Sequence, residues 1–151
     1  MSAEPIVIGL KELSDDLDRL SEDSRHDVLM AALEAGARTI QIYAQENARQ
    51  KLNKHPLGFL TNSIGVRKAG NVWEVGVFGV IYAKIHEFGG VITPRTKKFL
   101  SWIDPDSGRR IFTKQAVIPA RPYLRPAVDE HRDEIHANIV AAILGILRGG
   151  L

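Results

Sequence analysis

No cysteine occurs among the 151 residues of this chain, so the sequence excludes disulfide bonds and thiol chemistry. No window approaches the roughly 18 consecutive apolar residues that indicate a transmembrane helix. The N-terminus has no basic region followed by an apolar run, which is the pattern of a secretory signal. These absences predict a protein that is made in a reducing cytoplasm and has no membrane partner.

Sequence patterns of catalytic sites are also scarce. His86-Glu87 begins like the helical motif of zinc proteases, but that motif requires a second histidine where this chain has Gly90. Ser63 and Ser101 lack the flanking glycines of a nucleophile elbow, and the sequence contains no glycine-rich phosphate loop. We therefore predict that the protein is not an enzyme and that it binds no cofactor and no metal ion.

Length and composition predict one globular domain spanning residues 1–151, with 44% hydrophobic and 25% charged residues. The net charge is only +2, but residues 84–125 contain nine Lys or Arg and three acidic residues, a net charge of +6. Three interpretations of this basic region are open. It is a solvated edge that discourages strand pairing, a contact for an acidic protein surface, or a contact for nucleic acid.

Apolar periodicity predicts helices at both ends of the chain. Leucines at spacings of three and four predict a short helical segment within residues 1–22. A long helix is predicted over residues 24–54, with Ser24 as its N-cap and with many small residues that allow close packing. The C-terminal helix is predicted over residues 126–148. Its last two turns are apolar nearly all round, which indicates cover by either a neighbouring subunit or the N-terminal helix.

Between the helices, residues 60–118 are predicted to form a twisted antiparallel sheet. Spacings of three between Tyr82, Ile85 and Phe88 favour a short helix inside this region. The predicted fold is therefore α+β, with the long N-terminal helix packed across the sheet and the C-terminal helix beside it. Turn residues predict two hairpins, whose strands are residues 63–68 with 72–78 and residues 97–103 with 110–116.

Two stretches, residues 82–90 and 118–126, are the most informative part of the sequence. Prolines at positions 119, 122 and 126 fix φ and remove three N–H donors, so the second stretch is predicted to be extended. Pro126 itself suits the first turn of a helix. Neither stretch has the form of a catalytic motif, and each indicates a backbone held in a fixed shape. The pair therefore points to assembly rather than to chemistry.

These stretches, YAKIHEFGG and IPARPYLRPA, resemble the gene-product-ten-like tail-component family of long-tailed lambdoid bacteriophages. They are also similar to the Mu-type virion morphogenesis family. The resemblance covers residues 6–128, with one departure at Leu57, where such proteins often have threonine. Three further pieces occur in the order of the family, namely the leucines of residues 8–20, GFLTNSI at residues 58–64 and KKFLSW at residues 97–102.

The resemblance implies a structural protein of a phage or prophage virion that acts in tail completion or in the neck joining tail to head. It implies that copies form a homo-oligomeric ring and contact tail-tube, tail-terminator or connector proteins. The protein would be made in the host cytoplasm and lie in the tail or neck of the virion. The alternative is a nucleic-acid-binding accessory protein that uses residues 84–125, which we consider less favoured.

Candidate assembly residues come from both stretches and from the basic region between them. We also hypothesise that the carboxylate of Glu87 binds the guanidinium of Arg121 and so joins the two stretches. The predicted partner-binding residues are Tyr82, His86, Glu87, Phe88, Gly89, Gly90, Lys97, Lys98, Trp102, Arg109, Arg110, Arg121 and Tyr123.

Overall fold

The computed structural model describes residues 10–52, 58–80, 82–104 and 106–149. Its elements confirm the predicted α+β class, with a long helix, antiparallel strands and a C-terminal helix. Residues 1–9 and 53–54 of the predicted helices, and Pro105 of the second predicted turn, lie outside the described residues. The elements in chain order are α1 Leu10–Asp18, α2 Glu22–Leu52, α3 Gly58–Asn62, β1 Ile64–Ala69, β2 Val72–Val77, α4 Ala83–Phe88, β3 Gly90–Ile92, β4 Leu100–Ile103, β5 Arg110–Thr113, β6 Ala116–Ile118, α5 Leu124–Asp129 and α6 Arg132–Gly149.

The long helix α2 begins earlier than its sequence predicts. Ser21, rather than Ser24, is the capping residue, because the N–H of Ser24 donates to the Ser21 hydroxyl oxygen at 3.2 Å. Glu22 and Asp23 occupy the first turn of the helix, where carboxylates interact favourably with the helix dipole. Within the described part of the chain, no helix has both the length and the apolar character needed to cross a membrane.

Helix α2 packs closely against α6. A Cβ placed on Gly36 would lie 2.7 Å from both Cγ1 and Cδ1 of Ile139, so glycine is what allows the helices to approach at this point. One turn further along, the Asn138 amide donates to the Thr39 hydroxyl at 3.0 Å. The small residues predicted to permit close packing therefore do so against another helix.

A polar contact extends the same interface toward the start of α6. The Tyr43 hydroxyl donates to Glu134 at 2.5 Å, and the Tyr43 ring stacks on His131 with the ring centres 3.4 Å apart. The hydrogen bond to Glu134 raises the pKa of Tyr43, with burial and the Glu134 charge as smaller causes. Residue numbers rise along α2 as they fall along α6, so the two helices are antiparallel.

The single C-terminal helix predicted over residues 126–148 is wrong in one respect, because two helices meet at Glu130 and His131. The N–H of Glu130 donates to the Pro126 carbonyl and closes α5, while the N–H of Ile135 donates to the His131 carbonyl in the first turn of α6. Both helices pack on α2, and α5 is also held from its N-terminal end by contacts described below.

Helix α1 covers part of the apolar surface of α6. Leu13 of α1 is buried in one cluster with Val28, Ile143 and Leu147, and Leu144 packs against that cluster. Of the two interpretations given above, cover by the N-terminal helix accounts for this face. Val140 and Ile146 remain exposed on other sides of α6.

The first hairpin, β1–β2, packs on the middle of α2. Gln41 and Gln45 both donate side-chain hydrogen bonds to the Ile64 carbonyl, at 2.9 and 3.1 Å. Trp73 donates through Nε1 to the Met30 carbonyl at 2.8 Å. Among the described residues, the largest fully buried side chains are Leu60 and Ile64, and both lie where the hairpin meets α2. The Trp73 side of β2 therefore faces α2.

The described strands form three separate two-stranded antiparallel ladders rather than one continuous sheet, with the pairs β1–β2, β3–β6 and β4–β5. The second hairpin, β4–β5, is shorter than predicted. Pairing of β3 with β6 was not predicted, because each strand has only three residues and they are far apart in sequence. This pairing places the ends of the two informative stretches side by side.

Candidate functional site

The stretches at residues 82–90 and 118–126 meet at the carboxylate of Glu87. This side chain is 8% exposed. One carboxylate oxygen accepts the backbone N–H groups of Tyr123 at 2.8 Å and Leu124 at 3.0 Å, and the other accepts that of Arg125 at 3.0 Å. A buried anion thus gains three charge-assisted hydrogen bonds, which offset the cost of removing it from water.

The three N–H groups belong to the start of α5. A helix begins with four N–H groups that have no partner inside the helix. In α5 the four positions are the N-cap residue Tyr123, Leu124, Arg125 and Pro126. Because proline has no N–H, only three such groups exist here. Glu87 accepts all three that exist, so a carboxylate from a distant helix caps α5 completely, with the sign of charge that its dipole favours.

The hypothesis that Glu87 pairs with the Arg121 guanidinium is wrong, because the carboxylate is bound by backbone N–H groups of α5. It is correct that the two stretches pack together. The backbone N–H of Arg121 donates to the His86 carbonyl at 2.7 Å. The Tyr123 hydroxyl lies 3.5 Å from the Ala83 carbonyl, to which it donates. Backbone groups, rather than opposite side-chain charges, join these stretches.

Gly89 allows the closest approach of the two stretches. It is the C-cap of α4, with φ +71° and ψ 179°, a region of backbone conformation that only glycine adopts readily. A Cβ built on Gly89 would lie 2.8 Å from the Ala120 nitrogen and 3.0 Å from the Ile118 oxygen. Both its conformation and its lack of a side chain are therefore required for β3 to reach β6.

The remaining predicted residues of this junction differ in their exposure. Tyr82 is 38% exposed and its ring meets that of His86 edge-on, at 5.9 Å between centres. Phe88 is 61% exposed, whereas Tyr123 is buried at 3%. An open groove of about 340 Å³ separates α4 from α5. The residues that line it include Val77, Lys84, Phe88, Leu124, Arg125 and Val128.

The other predicted residues lie apart from this junction, on a projecting hairpin that we call the arm (residues 95–104 and 106–114). Its strands β4 and β5 pack chiefly against each other. Its tip is closed by Asp104, whose carboxylate accepts both the N–H and the hydroxyl of Ser107. The predicted residues on the arm are all exposed, and these are Lys97, Lys98, Trp102, Arg109 and Arg110.

The two faces of the arm differ. Trp102 lies opposite Ile111 on one face, where Ile111 is half-buried. On the other face Ile103 lies opposite Arg110, and Phe112 lies opposite Ser101. Ile103 is 61% and Phe112 64% exposed, so this face presents apolar side chains to solvent. Sequence reasoning did not select Ile103 or Phe112 as site residues.

The junction holds the base of the arm. The arm leaves β3 and returns into β6, and these two strands pair with each other from Gly90–Ile118 to Ile92–Ala116. Glu87 and Gly89 lie within three residues before β3, and Tyr123, the N-cap of α5, lies five residues after the end of β6. The fixed shape predicted for the two stretches is thus that of a clamp at the base of the arm. Among the described residues, no group of three or more His, Asp or Glu side chains could hold a metal ion.

A family model described as "Bacteriophage HK97-gp10, putative tail-component" matches residues 11–89, which is more than half of the chain. The chain belongs to the HK97-gp10-like family. This confirms the resemblance to the gene-product-ten-like tail components. Searches of the curated proteins and of the solved structures each give no match.

As a member of the HK97-gp10-like family, the protein is a structural tail component of a bacteriophage. A tail component lies in the virion and contacts other tail proteins. The matched residues include helix α4 with Glu87 and end at Gly89. The arm and the proline-rich stretch follow the matched part, so their roles rest on the geometry of this chain.

Two residues that sequence reasoning missed connect the junction of this HK97-gp10-like chain to α2. Asn47 donates to the Tyr123 carbonyl at 3.1 Å, and Lys51 donates to the Pro122 carbonyl at 2.6 Å. These carbonyls belong to a stretch whose prolines prevent regular strand pairing, so side chains satisfy them instead. Polar residues in the last turns of a helix that is otherwise rich in buried alanine are the signal that could have found them.

Tyr123 makes the stability of the protein depend on pH in the alkaline range. Burial raises the pKa of Tyr123 to about 12, with the Glu87 charge as the second cause. Unfolded tyrosine loses its proton near pH 10. As the pH rises from about 10 to 12, the unfolded state releases a proton that the folded state retains, so the free energy of unfolding falls.

We expect this contribution to be fully present below pH 10 and to decrease by up to about 2–3 kcal/mol as pH approaches 12. Urea unfolding of the wild type and of Tyr123→Phe, measured at intervals from pH 8 to 11.5, isolates it because other titrating groups contribute equally to both proteins. Above pH 10 the free energy of unfolding of the wild type should fall relative to that of Tyr123→Phe. Parallel curves over the whole range would contradict a raised pKa at this position.

Proposed function

We propose that this tail component acts in tail completion or in the neck that joins tail to head, and that it does so by assembling into a homo-oligomeric ring. The ring would present a docking surface to a tail-tube, tail-terminator or connector protein. The observation that supports this proposal most directly is the arm, a two-stranded hairpin with apolar side chains exposed to solvent.

An isolated two-stranded hairpin is at best marginally stable in water. The arm makes few contacts with the remainder of the described fold, yet it carries Ile103 and Phe112 on an exposed face. Exposed apolar groups that cluster on one surface mark sites of protein contact. An additional strand or a helix from another subunit would both cover these side chains and stabilise the hairpin.

The junction suits a structural role because it fixes where the arm points. Three hydrogen bonds to Glu87 and the close approach at Gly89 hold β3, β6 and α5 together at the base of the arm. Helix α2 contacts α3, α5, α6 and the first hairpin, which supports our proposal that residues 1–151 form one domain. A rigid domain with one directed arm can repeat in a closed ring.

Light scattering of the purified protein over a range of concentration tests the proposal. We expect the mass to rise from that of the 16.7 kDa monomer to that of a discrete ring. A variant in which residues 97–113 are replaced by a short Gly/Ser linker should remain monomeric, while its circular dichroism shows that the helices are retained. Monomeric wild-type protein at every concentration would contradict self-assembly.

The same preparations distinguish the alternative of nucleic-acid binding. Fluorescence anisotropy with a labelled DNA duplex would show binding that weakens log-linearly with salt if the basic residues contact phosphates. For a ring-forming tail protein we expect little binding at physiological salt.

A further inference from the structure

The unpartnered face of the arm and the charges around it point to its partner: we propose that the arm of one copy docks head to tail on the start of helix α2 in the next copy. This inference rests on the proposed ring and specifies the surfaces that form it. The contacting groups are Ile103, Arg110 and Phe112 on the arm, and Glu22, Leu29 and Leu33 on α2.

Charge complementarity favours this pairing. Residues 95–114 contain six Lys or Arg and two acidic residues, a net charge of +4. Residues 13–33 contain six acidic residues and two arginines, a net charge of −4. Both arginines are engaged in local ion pairs, Arg19 with Asp16 and Arg25 with Asp18. The excess of carboxylates therefore faces solvent around the start of α2, where it would attract the basic arm.

The apolar side chains match as well. Glu22, Leu29 and Leu33 follow one another at spacings of seven and four residues, so they share one face of α2. Glu22 is exposed, and the two leucines are 39% and 42% exposed. This face thus carries one carboxylate followed by two partly exposed leucines.

The arm presents the complementary order of groups on its exposed face. Ile103 and Arg110 are a cross-strand pair, and Phe112 is two residues further along β5. Arg110 and Phe112 are about 7 Å apart along their strand. Glu22 and Leu29 are about 10 Å apart along their helix. The length of an arginine side chain spans the difference, so Arg110 can reach Glu22 while Phe112 and Ile103 contact the leucines.

Within one copy both surfaces are exposed, so they do not cover each other. A contact between them therefore requires two copies. The two surfaces also differ from each other, so the contact is heterologous rather than self-complementary. A heterologous contact repeats from copy to copy and closes into a ring when the rotation allows. Nucleic acid could attract the basic arm, but it would be repelled by the acidic start of α2 and would leave Leu29 and Leu33 uncovered.

A charge-reversal exchange tests the contact. Variant one carries Arg109→Glu and Arg110→Glu on the arm, and variant two carries Glu22→Lys and Asp23→Lys on α2. Each variant by itself opposes like charges at every interface, so we expect association to weaken by at least about tenfold. In an equal mixture the two variants alternate around the ring, so each contact brings opposite charges together. The mass in light scattering should then return toward that of the wild type.

Matched controls are the exposed residues Lys68 and Glu130, which lie outside both surfaces. Lys68→Glu and Glu130→Lys should leave association unchanged. Phe112→Ser should weaken association by about tenfold with little change in thermal unfolding, because the side chain is 64% exposed. This variant keeps the test independent of any effect of charge reversal on the start of α2.

The outcomes separate this inference from the proposed ring. Wild-type oligomers that are insensitive to all these substitutions, or reversed variants that do not recover when mixed, would overturn the contact while leaving the ring. Loss of association in the arm variant together with none in the α2 variant would also overturn it and would assign the arm to another partner, such as DNA in the anisotropy assay. A wild type that never associates would overturn both.

Discussion

Replacement of Glu87 by alanine is expected to lower the free energy of unfolding by about 3 kcal/mol. The substitution removes one acceptor group but leaves three backbone N–H groups, those of Tyr123, Leu124 and Arg125, without it. Donors left unsatisfied in a largely buried position cost more than the net contribution of a hydrogen bond, because they no longer have water as an alternative. The loss of the negative charge at the start of α5 adds to the effect.

Glu87→Gln separates the hydrogen bonds from the charge. An amide oxygen can accept from Tyr123 and Leu124, as one carboxylate oxygen does now, but the amide nitrogen then faces the N–H of Arg125. We therefore expect a loss between that of Glu87→Ala and the wild type. Glu130→Gln is the matched control, since this exposed glutamate should change stability by less than about 0.5 kcal/mol.

Urea unfolding followed by circular dichroism measures all three variants against the wild type. Equal stability of Glu87→Ala and Glu130→Gln would contradict the capping role. A further expectation concerns where the loss occurs. Hydrogen exchange of the N–H groups of Leu124 and Arg125 should accelerate in Glu87→Ala before that of the α2 backbone, because the cap is local to α5.

Sequence patterns predicted the elements whose residues are near one another in the chain. The apolar stripe of α2 gave a helix ending close to its observed end at Leu52. The turn between β1 and β2 was recognised from Gly70, which has φ +62°. Spacings of three residues identified the short helix α4. In each case the signal and the structure lie within a few turns of each other.

Contacts between distant residues were not predictable in the same way. Its place between the apolar residues Ile85 and Phe88 on a short helical turn predicted that Glu87 faces away from the core, and an arginine was its hypothesised partner. Its actual partners are backbone N–H groups. Because nearly every residue has one, no residue type in the sequence indicates which of them Glu87 will bind. The start of α5 has the same origin, because it is fixed by the cap from Glu87, which is 36 to 38 residues away in the chain.

The candidate site likewise contains residues that the sequence predicted and residues that it did not. Composition located the basic residues of the arm, since a cluster of charges is visible in sequence. The exposure of Ile103 and Phe112 was not visible, because apolar residues in a strand are ordinarily taken as core. Their exposure follows from the separation of the strands into two-stranded ladders, because no other described element covers this face of β4 and β5.

Gly89→Ala is expected to have the largest effect of any single substitution considered, a loss of about 4 kcal/mol in the free energy of unfolding. Two costs add. The backbone conformation at φ +71° and ψ 179° is strained for alanine, and the new Cβ would lie 2.8 Å from the Ala120 nitrogen. Backbone atoms on the opposite strand cannot rotate away as a side chain can, so β3 and β6 would have to separate.

Gly79→Ala is the control for positive φ, because Gly79 also has positive φ, at +76°, but a Cβ there would meet nothing within 4 Å. We expect this control to lose only about 1 kcal/mol, the cost of the backbone conformation. The difference of about 3 kcal/mol between the two variants would then combine the close approach of the two stretches with the extra cost of ψ 179° at Gly89. If urea unfolding gave equal losses for both variants, the contact between Gly89 and Ala120 would not be what holds β3 against β6.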